Sequence, residues 1–136
     1  MMTSSSHPGL SVVIVDDDID TTQTLHWLLE LEGHSVHSVN TAEAAMELVN
    51  RVRPDVVLLD LRMPYISGFE LHRRMRAHPN CQDTRFIAHS GMGEAVTVNR
   101  TVEEGFDAHL LKPPDHKELL LLLDSVMGEP KTPPEA

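Results

Sequence analysis

VVIVDDDID, residues 12–20, is the stretch that decides the fold, because an apolar run ends abruptly in negative charge. A short run rich in β-branched residues is typical of a strand buried on both faces. Three adjacent aspartates follow it, Asp16, Asp17 and Asp18, with Asp20 one step further on. VVLLDLRMP, residues 56–64, repeats the pattern and is apolar until it reaches Asp60. Both segments predict a buried strand that ends where the chain becomes acidic.

Short apolar runs and segments of helical periodicity alternate along the rest of the chain. Strands are predicted at residues 11–15, 34–39, 55–60, 85–90 and 107–111. Helices are predicted at about residues 19–32, 42–52, 67–77, 94–104 and 115–127. Gly33 and Gly105 stand where helix C-caps are expected, and Thr41 where an N-cap is expected. Repeated strand–helix–strand units predict an α/β fold whose parallel sheet has helices on both faces.

Composition narrows the functional classes. The chain has 136 residues, enough for one domain, and a formal net charge of -10. This charge argues against nucleic acid or an anionic membrane as a direct partner, since both attract positive surfaces. Its single cysteine, Cys81, excludes an internal disulfide and suits a reducing cytosol. No apolar run approaches the roughly 20 residues of a membrane span, and the N-terminus lacks a secretory apolar core, so we expect a cytoplasmic protein without membrane insertion.

The polar residues that follow the strands are expected to meet at one edge of the sheet. Ligands of open α/β sheets bind beyond the carboxyl ends of the strands. Converging carboxylates repel one another unless a cation lies among them, and Mg²⁺ prefers oxygen ligands and leaves positions for phosphate oxygens. A lysine at the same edge pairs with carboxylates and with phosphate. The crevice therefore predicts a site for a phosphoryl group, built from Asp16, Asp17, Asp60, Ser90 and Lys112.

Four motifs carry a family resemblance when they are read in order. VVIVDDD, VVLLDLRMP, FIAHSG and GFDAHLLKP resemble the receiver domain of bacterial response regulators, over about residues 10–127. Each motif alone is weak, but all four end a predicted strand. The resemblance implies a doubly wound, flavodoxin-like (βα)5 fold with strand order 2-1-3-4-5. Residues 1–9 are predicted to form a disordered N-terminal tail, and residues 128–136 a Pro-rich C-terminal tail.

The resemblance also implies roles for individual residues. Asp60 matches the phosphoacceptor, and Ser90 and Lys112 match the hydroxyl residue and the lysine that contact the phosphoryl group. The cofactor implied is Mg²⁺, with Mn²⁺ as a possible substitute. Its implied ligands are the side chains of Asp16, Asp17 and Asp60 and the backbone carbonyl of Arg62.

Two departures from the family pattern concern signalling. His109 stands three residues before Lys112, where receivers commonly carry an aromatic residue that moves with the Ser/Thr. We therefore expect the conformational response to be smaller than usual, or sensitive to pH. Arg62 and Met92 match positions that border the phosphoryl group, and neither carries a group that orients water. This predicts slow self-dephosphorylation.

The function implied is that of a signalling domain. It takes a phosphoryl group from a histidine kinase or histidine phosphotransfer protein onto Asp60 and acts on a downstream protein target. Rather than being an enzyme on other substrates, it assists its own Mg²⁺-dependent phosphorylation and dephosphorylation. Because only nine residues follow residue 127, we expect no output domain. Two alternatives stay open: a receiver-fold binding module that signals without phosphorylation, and a receiver excised from a hybrid histidine kinase.

Overall fold

Five strands and five helices alternate in the computed structural model, which describes residues 9–91 and 95–128, with the backbone alone for residues 95–97. The strands are β1 (Ser11–Val15), β2 (Ser35–Val39), β3 (Val56–Asp60), β4 (Arg85–Ser90) and β5 (Ala108–Leu111). The helices are α1 (Ile19–Leu31), α2 (Ala42–Leu48), α3 (Gly68–Arg76), α4 (Ala95–Glu103) and α5 (His116–Met127). The predicted tails lie outside the described residues except for Gly9 and Gly128.

The strands form one parallel sheet in the order β2-β1-β3-β4-β5. This confirms the predicted fold class and strand order. In the register of the sheet, Asp60 at the end of β3 lies opposite His89 on β4. The carboxyl ends of β1, β3, β4 and β5 therefore open at the same edge, where the polar residues of the sequence motifs are found.

Two apolar layers cover the two faces of the sheet, because successive side chains of a strand point to opposite faces. Val13 and Val15 of β1 pack on the layer that contains α2 and α3. Val12 and Ile14 pack on the layer that contains α1 and α5. Burying a single valine or isoleucine side chain contributes about 1.5–3 kcal/mol, so the two layers hold β1 firmly in the sheet.

Residues at the helix ends behave as the sequence predicts. Thr41 caps α2, because its hydroxyl accepts the backbone N–H of Ala44. Gly33 follows α1 with φ 95° and Gly105 follows α4 with φ 94°, a backbone region that glycine enters without strain. Asp18 caps α1 through a bond from the N–H of Asp20. None of the helices described is long and apolar enough to cross a membrane.

Two local features differ from the sequence prediction. Helix α2 ends at Leu48 and not near residue 52. After Leu48 the backbone tightens into a turn, because the N–H groups of Asn50 and Arg51 bond carbonyls three residues back, at Glu47 and Leu48. The carbonyl of Val49 accepts a 2.8 Å hydrogen bond from the side chain of Asn80. A short 3-10 helix, Pro79–Cys81, precedes β4 and was not predicted. Its cap is His78, whose ring accepts the N–H of Asn80.

Candidate functional site

Three carboxylates converge at the carboxyl edge of the sheet. Asp16 and Asp17 follow β1, and Asp60 is the last residue of β3. One oxygen of each lies within 4.8 Å of the others. Asp16 and Asp60 are buried, at 0% and 3% exposure, whereas Asp17 is exposed. The cluster therefore has a buried floor and a side that is open to solvent.

A short loop holds the first two acids. Only residues 16–18 separate β1 from α1, and the Asp18 N–H donates to Asp16 Oδ1 over 2.9 Å. The carboxylate of Asp18 faces the helix instead, where Thr21 Oγ1 also donates to it over 2.8 Å. Asp18 thus serves as the N-cap of α1, a position at which aspartate is common.

Asp60 is the most perturbed of the acids. Burial and the neighbouring Asp16 raise the pKa of Asp60 to about 7, although the Arg62 N–H and Lys112 favour its ionised form. The Arg62 N–H donates to Asp60 Oδ1 over 3.1 Å. The first residue of α3, Gly68, packs directly against the backbone at the end of β3. A methyl group on Gly68 would fall 2.6 Å from Leu61 Cα and closer still to the Asp60 carbonyl oxygen.

Lys112 reaches the cluster from the end of β5, an outermost strand of the sheet. It follows β5, and its Nζ lies 2.8 Å from Asp16 Oδ2 and 3.4 Å from Asp60 Oδ1. Burial alone would lower the pKa of Lys112, but the contacts with Asp16 and Asp60 outweigh burial and raise it. Lys112 is therefore an ammonium ion shared by the two buried carboxylates.

The charges at this edge do not balance. Three carboxylates meet one ammonium, and the raised pKa of Asp60 shows that its negative charge is poorly compensated. A hard divalent cation with oxygen ligands fits this donor set, since it takes one or two carboxylates and keeps water in its remaining positions. The residues present therefore fit Mg²⁺.

Ser90 lies at the end of β4, and its hydroxyl is turned toward β5. Ser90 Oγ lies 3.1 Å from Nε2 of His109, within hydrogen-bond distance. The backbone also ties Ser90 to the site, because the N–H of Lys112 donates to the Ser90 carbonyl over 2.9 Å. Burial lowers the pKa of His109, so its ring is neutral at neutral pH.

Other predicted residues border the cluster. The side chain of Arg62 is exposed and lines a groove of about 610 Å³ beside Asp17. In the same loop Tyr65 is exposed and has φ 72°, a region that side chains other than glycine rarely enter. Met92, the other residue predicted to shield the phosphoryl group, lies outside the described residues.

Two residues near the cluster were missed by the sequence reasoning. His89 is buried, and its Nδ1 lies 3.9 Å from Asp16 Oδ2. Burial and the Lys112 ammonium lower the pKa of His89 to about 4, so it adds no positive charge at neutral pH. Asn40 follows β2 and donates through Nδ2 to the Asp16 carbonyl over 2.8 Å. A histidine directly before Ser90 was the available signal for the first, and a polar residue at the end of β2 for the second.

The fold and the acidic edge together define a doubly wound, flavodoxin-like α/β domain with an acidic crevice at the carboxyl ends of its strands. Residues 12–124 match the family model of the response regulator receiver domain. The chain belongs to this family.

Three similar proteins illustrate its range. An uncharacterized 14.6 kDa protein of Leptolyngbya boryana is 33% identical over 114 residues, which cover 84% of this chain and 87% of that protein. The phosphate regulon transcriptional regulatory protein PhoB of Pseudomonas aeruginosa is 32% identical over 120 residues, 88% of this chain but 52% of PhoB. This chain therefore spans about half the length of that regulator.

Among solved structures, the receiver domain of sensor histidine kinase PA1611 from Pseudomonas aeruginosa has a TM-score of 0.79 and 25% identity. The match covers 89% of this chain and 99% of that domain. That structure has a magnesium ion coordinated in its active-site cleft. The similarity agrees with the observed fold of the sheet and its helices.

Proposed function

We propose that this chain is a phosphoacceptor that takes a phosphoryl group onto Asp60 with the help of Mg²⁺. The observation that carries the proposal is the shared ammonium: Lys112 contacts both Asp16 and Asp60, while a third carboxylate, Asp17, completes the cluster on its open side. Such a site attracts a cation and the phosphate oxygens that the cation and the ammonium bind together.

In this proposal each residue of the cluster has its own part. Asp16, Asp17 and Asp60, with the backbone carbonyl of Arg62, hold the ion. When bound, Mg²⁺ supplies positive charge to the phosphoryl oxygens and favours the ionised form of Asp60. Lys112 keeps Asp16 and Asp60 in place and faces the phosphoryl oxygens as they arrive.

The chemical step is a transfer to a carboxylate oxygen. Ionised Asp60 attacks the phosphorus of a phosphohistidine, forming an O–P bond, while the P–N bond breaks and its electron pair returns to the imidazole nitrogen. Because the pKa of Asp60 is raised, a fraction of the molecules carries a proton on Asp60 at neutral pH without metal. The nucleophile therefore depends on the cation for its charge.

The partners proposed are a histidine kinase or histidine phosphotransfer protein as donor and a downstream protein as target, met in the cytoplasm. The negative charge of the chain supports protein targets and not nucleic acid. Ser90 is proposed to leave His109 and bond to the phosphoryl group, which changes the surface around β5. This supports a signalling role in which the domain assists its own phosphorylation and dephosphorylation.

Incubation with acetyl phosphate and Mg²⁺, followed by intact mass measurement, tests the proposal. We expect the wild type to gain one phosphoryl mass and Asp60→Asn to gain none. Asp83→Asn is the matched control, because Asp83 is an exposed aspartate in the turn before β4. It should take up phosphoryl as the wild type does. Uptake by Asp60→Asn at a single site would refute the assignment, and no uptake by the wild type would favour the phosphorylation-independent binding module.

A further inference from the structure

Asn40 ties three parts of the crevice together. It is the first residue after β2, and its Nδ2 donates to the Asp16 carbonyl over 2.8 Å and to Thr22 Oγ1 over 3.2 Å. Thr22 is buried in the first turn of α1 and donates in turn to the carbonyl of Ile19. One amide group therefore links the end of β2, the loop after β1 and the start of α1.

The carbonyl that Asn40 holds belongs to the peptide group between Asp16 and Asp17. A peptide group is planar, so fixing its carbonyl oxygen restricts the direction in which both neighbouring side chains leave the backbone. The Asp16 N–H is held as well, since it donates to the Val39 carbonyl over 3.2 Å. The segment from β2 thus fixes Asp16 on both sides of its Cα.

This placement matters for the ion proposed above. Mg²⁺ demands nearly ideal octahedral geometry, with oxygens at about 2.0–2.1 Å, whereas Ca²⁺ accepts longer and more variable bonds. Asp17 is exposed, and the loop backbone that carries it sets the direction in which its side chain leaves the chain. A loop that rotates by a small amount would keep three carboxylates near one another but would lose the arrangement that Mg²⁺ selects.

The same type of bond occurs elsewhere without a site. Asn80 Nδ2 donates to the Val49 carbonyl over 2.8 Å, and both asparagines are half-buried. The Asn80 bond holds the loop at the end of α2 and involves no residue of the acidic cluster. Comparing variants of Asn40 and Asn80 therefore separates the ordinary stabilising effect of such a bond from an effect on the ion site.

We propose that Asn40 is a positioning residue that orients the Asp16–Asp17 peptide for Mg²⁺. The inference rests on the proposed function, because it concerns the same ion. Asn40 contacts neither the ion nor the phosphoryl group in this proposal, and it acts through the backbone carbonyl of Asp16. Outer partners of metal ligands commonly change metal affinity by about 10–100-fold when they are removed.

The experiment measures Mg²⁺ and Ca²⁺ affinity by calorimetric titration in the wild type, Asn40→Ala, Asn40→Leu and Asn80→Ala. Leucine keeps the branched shape and the number of side-chain heavy atoms of Asn40 without a donor. We expect both Asn40 variants to bind Mg²⁺ about tenfold more weakly, with a much smaller change for Ca²⁺. Asn80→Ala should lose stability to a similar degree but keep wild-type affinity for both ions.

Circular dichroism without metal checks that each variant is folded. Unchanged Mg²⁺ affinity in folded Asn40→Ala and Asn40→Leu would overturn the inference and leave the phosphoacceptor proposal standing. An equal loss in Asn80→Ala would also overturn it, since the effect would then be one of general stability. A wild type that binds no Mg²⁺ would overturn the proposed function and this inference together.

Discussion

Aspartates stand at both edges of the sheet, but they are satisfied in different ways. At the amino edge, Asp55 precedes β3 and forms a reciprocal pair with Ser11: each N–H donates to an oxygen of the other residue over 2.8 Å. Asp107 precedes β5 and forms the same reciprocal pair with Phe86, again at 2.8 Å. Each of these side chains extends the hydrogen-bond ladder of the parallel sheet by one rung.

At the carboxyl edge the aspartates form one cluster, and among the described residues their side chains do not pair separately with backbone groups of neighbouring strands. Asp16 and Asp60 share one ammonium, with Asp17 beside them. The backbone amides available to them come from their own loops, at Asp18 and Arg62. Aspartate side chains thus add hydrogen bonds at the amino edge, whereas at the carboxyl edge they place like charges close together. Charge left uncompensated by the fold, and not the number of aspartates, therefore marks the candidate functional edge.

The largest expected effect is that replacing an aspartate by asparagine changes the free energy of unfolding in opposite directions at the two edges. In metal-free buffer at pH 8, Asp60→Asn should raise the free energy of unfolding by about 2 kcal/mol, since a neutral amide removes the cost of keeping a buried carboxylate ionised and one pKa unit corresponds to about 1.36 kcal/mol. Asp55→Asn should lower it by about 1 kcal/mol, because its bond to Ser11 loses its charge. Urea denaturation of both variants measures the two changes.

The pH dependence of this effect follows from the direction of the shift. Folding raises the pKa of Asp60 from 3.8 to about 7, so the folded state binds the proton more tightly than the unfolded state. Its contribution to stability is present at low pH and is lost as the pH rises through that window. The advantage of Asp60→Asn should therefore vanish near pH 4 and shrink when Mg²⁺ is added. A destabilised Asp60→Asn at pH 8 would show that the two edges are alike.

The next prediction concerns the packing that supports Asp60. Gly68→Ala forces a methyl group against the backbone of Asp60 and Leu61, and overpacking of this kind costs about 1–3 kcal/mol. It should also weaken Mg²⁺ binding, because the end of β3 has to shift. Gly91→Ala is the control, since a methyl group there meets nothing within 4 Å. Equal thermal unfolding of the two variants would show that the edge tolerates the displacement.

Much of the fold could be predicted because it depends on local pattern. Alternating apolar runs and helical segments gave the element order, and acids directly after strands located the functional edge. The structure brings Asp16, Asp17, Asp60 and Lys112 together, and their roles stay predictions. Strand boundaries were close, since the strands are buried and short.

The rest depends on contacts between distant residues. Asn40 is 24 residues from Asp16, and its bond exists only once β2 lies beside β1 in the observed register. The loop after α2 is tied by Asn80, which is 31 residues from Val49. His89 was read as part of a strand, and its burial beside Asp16 follows from the pairing of β3 with β4. No single segment of sequence contains these relations.

The smallest expected effect concerns the link between the crevice and the edge strand β5. Ser90 is proposed to exchange its hydrogen bond with the neutral His109 ring for one to the phosphoryl group. His109→Phe removes that partner. At limiting acetyl phosphate, we expect the phosphorylated fraction to rise about fivefold, which corresponds to roughly 1 kcal/mol for one hydrogen bond. Intact mass at several acetyl phosphate concentrations measures the change.

A double-mutant cycle decides whether that change passes through Ser90. In a Ser90→Ala background, His109→Phe should have almost no effect, because no hydroxyl is left to release. An equal rise with and without Ser90 would place the influence of His109 elsewhere, in the packing of β5. A fall in phosphorylation on His109→Phe alone would reverse the argument. His109 would then be helping Ser90 reach the phosphoryl group, and the resting bond would be preparation for the transfer instead of competition with it.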